Sequence, residues 1–338
     1  MGRVRGMPRQ ADIARVAGVS QATVSVVLGG NRTGVRLSER TRLRVLEAAE
    51  RLGYVPDPVA KRLASSRDNL LGVYTSTPAF AGSGAPILAG VEAEAAALGK
   101  DLIMFTASGA APDHARIRRT RLADGCLFLG GHVPADALGE LLTAGFPIVS
   151  IGRRAELGGR VPHVGADYVA ASAEVITRLA RAGHRRVRYL REPADAPSSG
   201  DRERGTRAAA ADGGLSVVVT RTDGADLGAP AIRRWLDDGV TALVVEETET
   251  GAVFHATRRA LREAGVSVPG DVSLAVLGRP PGGTPGPEIS GFEVPGRALG
   301  RAAVRLLVSL VDPGAGEPAP HRLLSCPPVM GETIATVS

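Results

Sequence analysis

The side chains best suited to chemistry lie close together near the amino end, in Ser20-Gln21-Ala22-Thr23-Val24-Ser25-Val26. Hydroxyls and an amide at this spacing donate to and accept from oxygen and nitrogen edges, and an alanine between them offers a methyl-sized apolar contact. A second group is scattered through the rest of the chain: Arg153, Arg202, Glu247 and Arg279. A guanidinium fork fits carboxylate, phosphate or paired hydroxyls. Other chemistry finds little support. His184 stands in Gly183-His184-Arg185-Arg186 with no second histidine or cysteine nearby, so a structural turn is its simpler reading. Phosphate-binding loops of the Gly-x-x-x-x-Gly-Lys type, nucleophile elbows and His-Glu-x-x-His pairs are absent, so neither a catalytic set, a metal nor a cofactor is expected.

The first group needs a helix to present it, and the flanking sequence supplies one. Ile13, Val16 and Ala17 fall at helical spacing, Gly18 makes a tight turn, and Val19 plugs the corner. Ser20 is placed to cap the next helix, in which Val24, Val27 and Leu28 turn inward and Gln21, Ala22, Ser25 and Val26 outward. A third helix is predicted from Ser38, with Leu43, Leu46, Ala49 and Leu52 inward, ending at Gly53. Charge concurs. Residues 1–67 carry thirteen basic and five acidic side chains, a net +8, whereas the remainder carries −2. A basic head on a near-neutral body is the electrostatic footprint of a polyanion partner. Three short helices with this corner form a helix-turn-helix, whose second helix enters the DNA major groove.

These residues resemble the head of the lactose-repressor (LacI/GalR) family. The likeness is carried by Asp12-Ile13-Ala14, Ala17-Gly18-Val19-Ser20-Gln21-Ala22-Thr23-Val24-Ser25, Leu52-Gly53-Tyr54-Val55-Pro56 and Asp57-Pro58-Val59-Ala60-Lys61-Arg62-Leu63-Ala64. The resemblance implies that Gln21 and Ala22 read base edges while Ser20, Thr23 and Ser25 hold phosphates. Gln suits a bidentate contact with adenine, and Ala the thymine methyl. It also implies a hinge helix that folds on the operator, with Leu63 wedged into the minor groove and kinking the duplex. Arg32 and Ala60 complete the expected DNA-contacting set. Many relatives carry an arginine where this chain has Val26, so its operator should differ at that base pair.

From residue 70 onward, short apolar strands alternate with amphipathic helices. Strands are predicted at 71–74, 101–105, 125–129, 147–151, 186–190, 216–220, 241–245 and 272–277, and helices at 87–98, 170–182, 204–211, 231–237, 253–264 and 299–310. Such alternation predicts parallel sheets with helices on both faces, and two sets predict two subdomains with a ligand cleft between them. Asp124-Gly125-Cys126-Leu127, Gly183-His184-Arg185-Arg186-Val187 and Gly265–Ser273 extend the family resemblance. It implies an α/β periplasmic-binding-protein-like core of two doubly wound parallel-sheet subdomains behind an all-α helix-turn-helix head. The expected division is 1–57 for the head and 58–67 for the hinge. The core, 68–338, has one subdomain over 68–165 plus 295–320 and another over 166–294 plus 321–338.

The resemblance further implies a homodimeric regulator, a repressor by family, bound to a double-stranded, near-palindromic operator and controlled by a small-molecule effector. The tail after Val329 has no heptads, which favours a dimer over a tetramer. The effector set would comprise Phe80, Arg153, Arg202, Glu247 and Arg279. Departures from the family pattern concentrate here: Gly152-Arg153, Glu246-Glu247-Thr248 and Gly278-Arg279-Pro280-Pro281 replace residues that usually include carboxylates and amides. Gaining Arg153 and Arg279 predicts a more positive cleft, and so an anionic or atypical effector or lost ligand control. A solute-binding protein shares the core's fold but would show a leader and no basic head; an enzyme on the same core would need an acid/base set. The start of the chain, charged but without an apolar run, and apolar stretches far short of a membrane span suggest a cytoplasmic protein with no membrane partner. Cys126 and Cys326, far apart in apolar runs, read as buried thiols.

Overall fold

The computed structural model describes residues 10–28, 37–52, 54, 69–75, 84–106, 114–130, 133–154, 157–248, 250–280, 286–312 and 320–337. It divides into two compact units, 1–68 and 69–338.

In the first unit, α1 (Gln10–Ala17), α2 (Gln21–Leu28) and α3 (Glu39–Arg51) surround a small core of Ile13, Ala14, Ala17, Val24, Val45, Ala48 and Ala49. Two expectations change here. Val16 is 38% exposed and Ala14 takes its inward place. In α3 the buried positions are Val45, Ala48 and Ala49, while Leu43 and Leu46 are 49% and 37% exposed. Both stripes have helical spacing; α1 and α2 meet the one containing Val45, whose smaller side chains allow closer approach. Ser38 caps α3, its hydroxyl accepting from the Thr41 amide at 3.2 Å.

The second unit holds two six-stranded sheets. The first has the order β11-β5-β4-β3-β1-β2, all parallel, from β1 (Leu70–Thr75), β2 (Asp101–Thr106), β3 (Gly125–Leu129), β4 (Ile148–Ile151), β5 (His163–Ala166) and β11 (His321–Leu324). Alternate side chains go to opposite faces. Leu71, Val73, Leu127 and Val149 meet α4 (Gly84–Ala97) and α11 (Gly296–Val311), whereas Tyr74, Phe128 and Ile148 meet α5 (His114–Arg119) and α6 (Ala135–Thr143). The second sheet runs β12-β10-β9-β8-β6-β7, from β6 (Arg186–Arg191), β7 (Ser216–Arg221), β8 (Ala242–Glu246), β9 (Ser273–Leu277), β10 (Ser290–Phe292) and β12 (Pro328–Val329). Among these strands, β12 is antiparallel to its neighbour. One face packs α9 (Ala229–Asp237) and α10 (Ala252–Ala264) through Trp235 and Phe254; the other packs α7 (Tyr168–Arg181) and α8 (Pro197–Gly213) through Val175, Leu179 and Ala209.

The chain passes between the sheets three times, after β5, after β10 and after β11. Tyr168, Val294 and Cys326, one from each crossing, pack against apolar clusters of both subdomains. Residues 321–324 were expected in the second subdomain. They pair instead with β5 in the first sheet, because the last crossing comes at 325–327. Helix α8 starts seven residues earlier than expected. Pro197 sits in its first turn, and the polar run after it lies along one helix rather than in a loop. Cys126 is buried as expected, and Cys326 is half-buried with its thiol pKa raised to about 11 by burial.

Candidate functional site

The head's site is built on its corner. The Val19 amide donates to Ala14 O at 3.1 Å, and Gly18 turns the chain at a positive φ of 62°. The axes of α1 and α2 turn through 107°, the crossing of a helix-turn-helix. Ser20 caps α2 as expected: its Oγ accepts from the Thr23 amide at 3.1 Å and lies 2.9 Å from Thr23 Oγ1. Gln21, Ala22 and Ser25 are exposed, Thr23 and Val26 are half-buried, and Val24 is fully buried. The first turn of α2 thus exposes polar side chains at the positive end of the helix dipole, where phosphate is favoured. Arg44 was not singled out from the sequence. It reaches back from α3, its Nε donating to Ala17 O at 3.1 Å and its Nη2 to Gly18 O at 3.2 Å, and so ties the corner to the third helix. Only a fold can reveal such a contact, because it joins residues 27 apart. Arg32, Ala60 and Leu63 lie outside the described residues, as does Phe80 of the effector set.

The core's site gathers at the carboxyl ends of the strands. Arg202 lies within α8 rather than just before it, and is 4% exposed. Its guanidinium carbon stands 3.9 Å from the centroid of the Tyr168 ring, and its Nε donates to Leu277 O at 2.9 Å. Nη1 is 3.7 Å from Glu246 and Nη2 is 3.9 Å from Glu247. Burial works against this guanidinium charge, but Tyr168, Glu246 and Glu247 outweigh it and hold the pKa above the ordinary arginine value. Glu246 is itself buried, accepting from Tyr189 Oη at 2.5 Å and from Ser199 Oγ. Burial pushes the Glu247 carboxyl above the usual carboxylate range although Arg202 and Arg279 oppose it. Glu247 also packs against Gly278, where φ is +137° and a Cβ would fall 2.1 Å from Oε2, so a glycine is required.

Arg153, at the end of β4, makes a bidentate pair with Asp201 of α8: Nε to Oδ2 at 3.2 Å and Nη2 to Oδ1 at 2.6 Å. Arg279 is exposed and stands 3.4 Å from Glu293. The arrangement therefore differs from the expected surplus of positive charge: Asp201 answers Arg153, Glu246 and Glu247 answer Arg202, and Glu293 answers Arg279. Asp201 and Tyr168 were missed from the sequence, and Glu246 was noted only as a neighbour of Glu247, because each acts through a partner distant along the chain. No group of three or more potential metal ligands occurs among the described residues, and no single described helix is long and apolar enough to cross a membrane.

A helix-turn-helix followed by a two-lobed, parallel-sheet core is the build of a DNA-binding transcription regulator. Residues 11–57 match the family of bacterial regulatory proteins, lacI family, and residues 176–334 the periplasmic binding protein-like domain. The chain belongs to the LacI family of transcription regulators. It is 27% identical over 332 residues to catabolite control protein A of Priestia megaterium, covering 92% of this chain and 96% of that protein. The HTH-type transcriptional regulator CelR of Thermobifida fusca is 29% identical, covering 93% of this chain and 95% of that one. A structure described as a transcriptional regulator CelR–cellobiose complex is 25% identical, with a TM-score of 0.65 over 96% of this chain and 99% of that one. The lac repressor dimer bound to operator and the anti-inducer ONPF superposes with a TM-score of 0.78 at 22% identity, covering 98% of this chain and all of the other, and so shares the fold.

Proposed function

We propose that the protein is a homodimeric repressor that binds a near-palindromic operator and is released or recruited by a small, hydroxyl-rich effector. The observation that carries the DNA reading is the exposed first turn of α2, where Gln21 and Ala22 face outward on a helix fixed by the Ser20 cap and the Arg44 tie. Gln21 and Ala22 read bases, Val26 makes an apolar contact, and Ser20, Thr23 and Ser25 meet phosphate. Arg32, Ala60 and the Leu63 wedge complete the contacts through the loop and hinge. The head ends near residue 57 and the hinge spans 58–67. Dimerisation follows because one head covers a half-site, and two-fold DNA calls for a two-fold protein. Such a regulator works in the cytoplasm and carries no catalytic task.

For the effector, the balance of charge is the guide. Arg153, Arg202 and Arg279 each face a carboxylate. Mixed donors and acceptors of this kind suit a neutral polyol better than an anion. The likeness to a solved structure described as a CelR–cellobiose complex supports the same class. The test is operator binding by the purified chain, followed by fluorescence anisotropy, against a panel of neutral saccharides, sugar acids and sugar phosphates. A saccharide should change operator affinity by tenfold or more, about 1.4 kcal/mol of coupling. A response confined to the acidic or phosphorylated members would overturn the neutral assignment.

A further inference from the structure

Residues 114–123 hold four arginines, Arg116, Arg118, Arg119 and Arg121, and no acid. Local packing decides where they point. Ile117 and Thr120, three residues apart, are 1% and 0% exposed, and Thr120 Oγ1 donates to Ile117 O at 2.6 Å. With these two turned inward, Arg118, Arg119 and Arg121 stand exposed at the end of α5 and in the 3-10 turn Thr120–Leu122 that follows it. Arg116 donates to the Thr106 carbonyl, and Arg118 meets Glu140 at 3.3 Å. Among the described residues, no acid stands within ion-pair distance of Arg119 or Arg121.

The turn lies against the amino ends of β1 and β3. The chain enters the core at β1, where the Leu70 amide donates to Asp124 Oδ2 at 3.3 Å and the Asp124 amide to Leu70 O at 2.9 Å. On the β2 side of the same entry, Lys100 Nζ donates to Asn69 Oδ1 at 3.0 Å. Lys100 neighbours the exposed Asp101, so the surplus charge of this rim rests on Arg119 and Arg121. They stand beside the point at which the chain arrives from the DNA-binding head. Fifteen steps along the chain separate Tyr54, the last described residue of the head, from Asn69. A chain of that length spans at most about 50 Å, roughly one and a half turns of duplex.

We propose that Arg119 and Arg121 form a second DNA contact, on the core rather than the head, that grips backbone phosphates of the duplex beside the site read by α2. The arginine fork suits a phosphate bidentately. Contacts of this kind fix position and add affinity without reading sequence. Double-stranded DNA is the partner that the location singles out, because the head holds it within reach of the linking chain. A solvated basic face would have no such place in the fold and no effect on DNA binding. The contact rests on the DNA reading proposed for the head.

The test is the salt dependence of DNA affinity for the full chain, followed by fluorescence anisotropy. The probe is a duplex recovered by binding-site selection and extended on each side by about fifteen base pairs, roughly one and a half turns. Each phosphate contact adds about 0.9 to the slope of log affinity against log salt. The double variant Arg119→Gln, Arg121→Gln should reduce that slope by about two per subunit and leave sequence preference unchanged. Arg119→Lys with Arg121→Lys keeps both charges and should retain most of the slope. Arg233→Gln with Arg234→Gln removes an exposed pair from α9 of the second subdomain and should leave the slope unchanged. On a duplex trimmed to the selected site, the unaltered chain and the Gln variant should converge. An unchanged slope in the Gln variant on the long duplex, or an equal fall in the α9 variant, would overturn the second contact alone. Failure of the unaltered chain to bind any selected duplex would overturn the head's reading and the second contact together.

Discussion

At the scale of single residues, the outward face of α2 carries the proposed DNA contacts, and Val26 limits what they can read. Val26 cannot form the bidentate contact with guanine that an arginine makes there. Val26→Arg should therefore shift preference at one symmetric pair of operator positions, with about 1–3 kcal/mol of discrimination per contact; unchanged preference in a binding-site selection would refute the assignment. Ser20→Ala removes the cap on α2 and should cost the head about 0.5–2 kcal/mol, measured by thermal unfolding of the full chain at its head-specific signals. Much of this surface was legible in the sequence, because a cap, a turn glycine and helical spacing are local signals. The cleft was legible only in part. Arg202 and Glu247 were both anticipated and do come together, at 3.9 Å. The charge expected of Arg153 was not, since the compensating Asp201 sits 48 residues away and sequence says nothing about that distance.

At the scale of elements, periodicity found the helices but not always their inward faces. Leu43 and Leu46 read as core by size, yet the small side chains of Val45, Ala48 and Ala49 permit the tighter packing and are the ones buried. Small residues decide the core as well. A Cβ on Gly90 would fall 2.2 Å from Arg297 O, and one on Gly300 2.1 Å from Ile87 O, so α4 and α11 touch backbone to backbone. Gly90→Ala and Gly300→Ala should each destabilise the core by about 1–3 kcal/mol or more, read from denaturant midpoints. A midpoint within 0.3 M of the unaltered chain, on the order of the measurement's scatter, would mean the helices can separate freely. Short strands escaped the sequence reading for a related reason. Residues 163–166 and 321–324 are four-residue segments that pair with each other across more than 150 positions, the first of them also pairing with β4, and that pairing makes them strands.

At the scale of the whole molecule, two buried histidines tie the core's stability to pH. His163 and His184 are both held below the ordinary imidazole value, in each case first by burial. For His163, His321 stacked at 4.6 Å and Arg153 push the same way, while the Val161 carbonyl and Asp201 oppose. A depressed pKa means that the unfolded chain takes up the proton more readily. Stability is thus fully present above about pH 6.5, the unfolded value, and is lost as pH falls through it toward the folded values. The melting temperature of the core should drop between pH 7.5 and 5.5, and His163→Gln should reduce that drop; an identical drop would assign the effect elsewhere.

The same scale holds the central claim, that a two-fold pair of heads reads a two-fold site. Binding-site selection from random duplexes by the purified full chain measures it most directly. Enrichment of inverted half-sites around a fixed centre, with adenine or thymine opposite Gln21 and Ala22, is the predicted result. Enrichment of a single unsymmetric site, or retention of DNA without sequence preference, would contradict it.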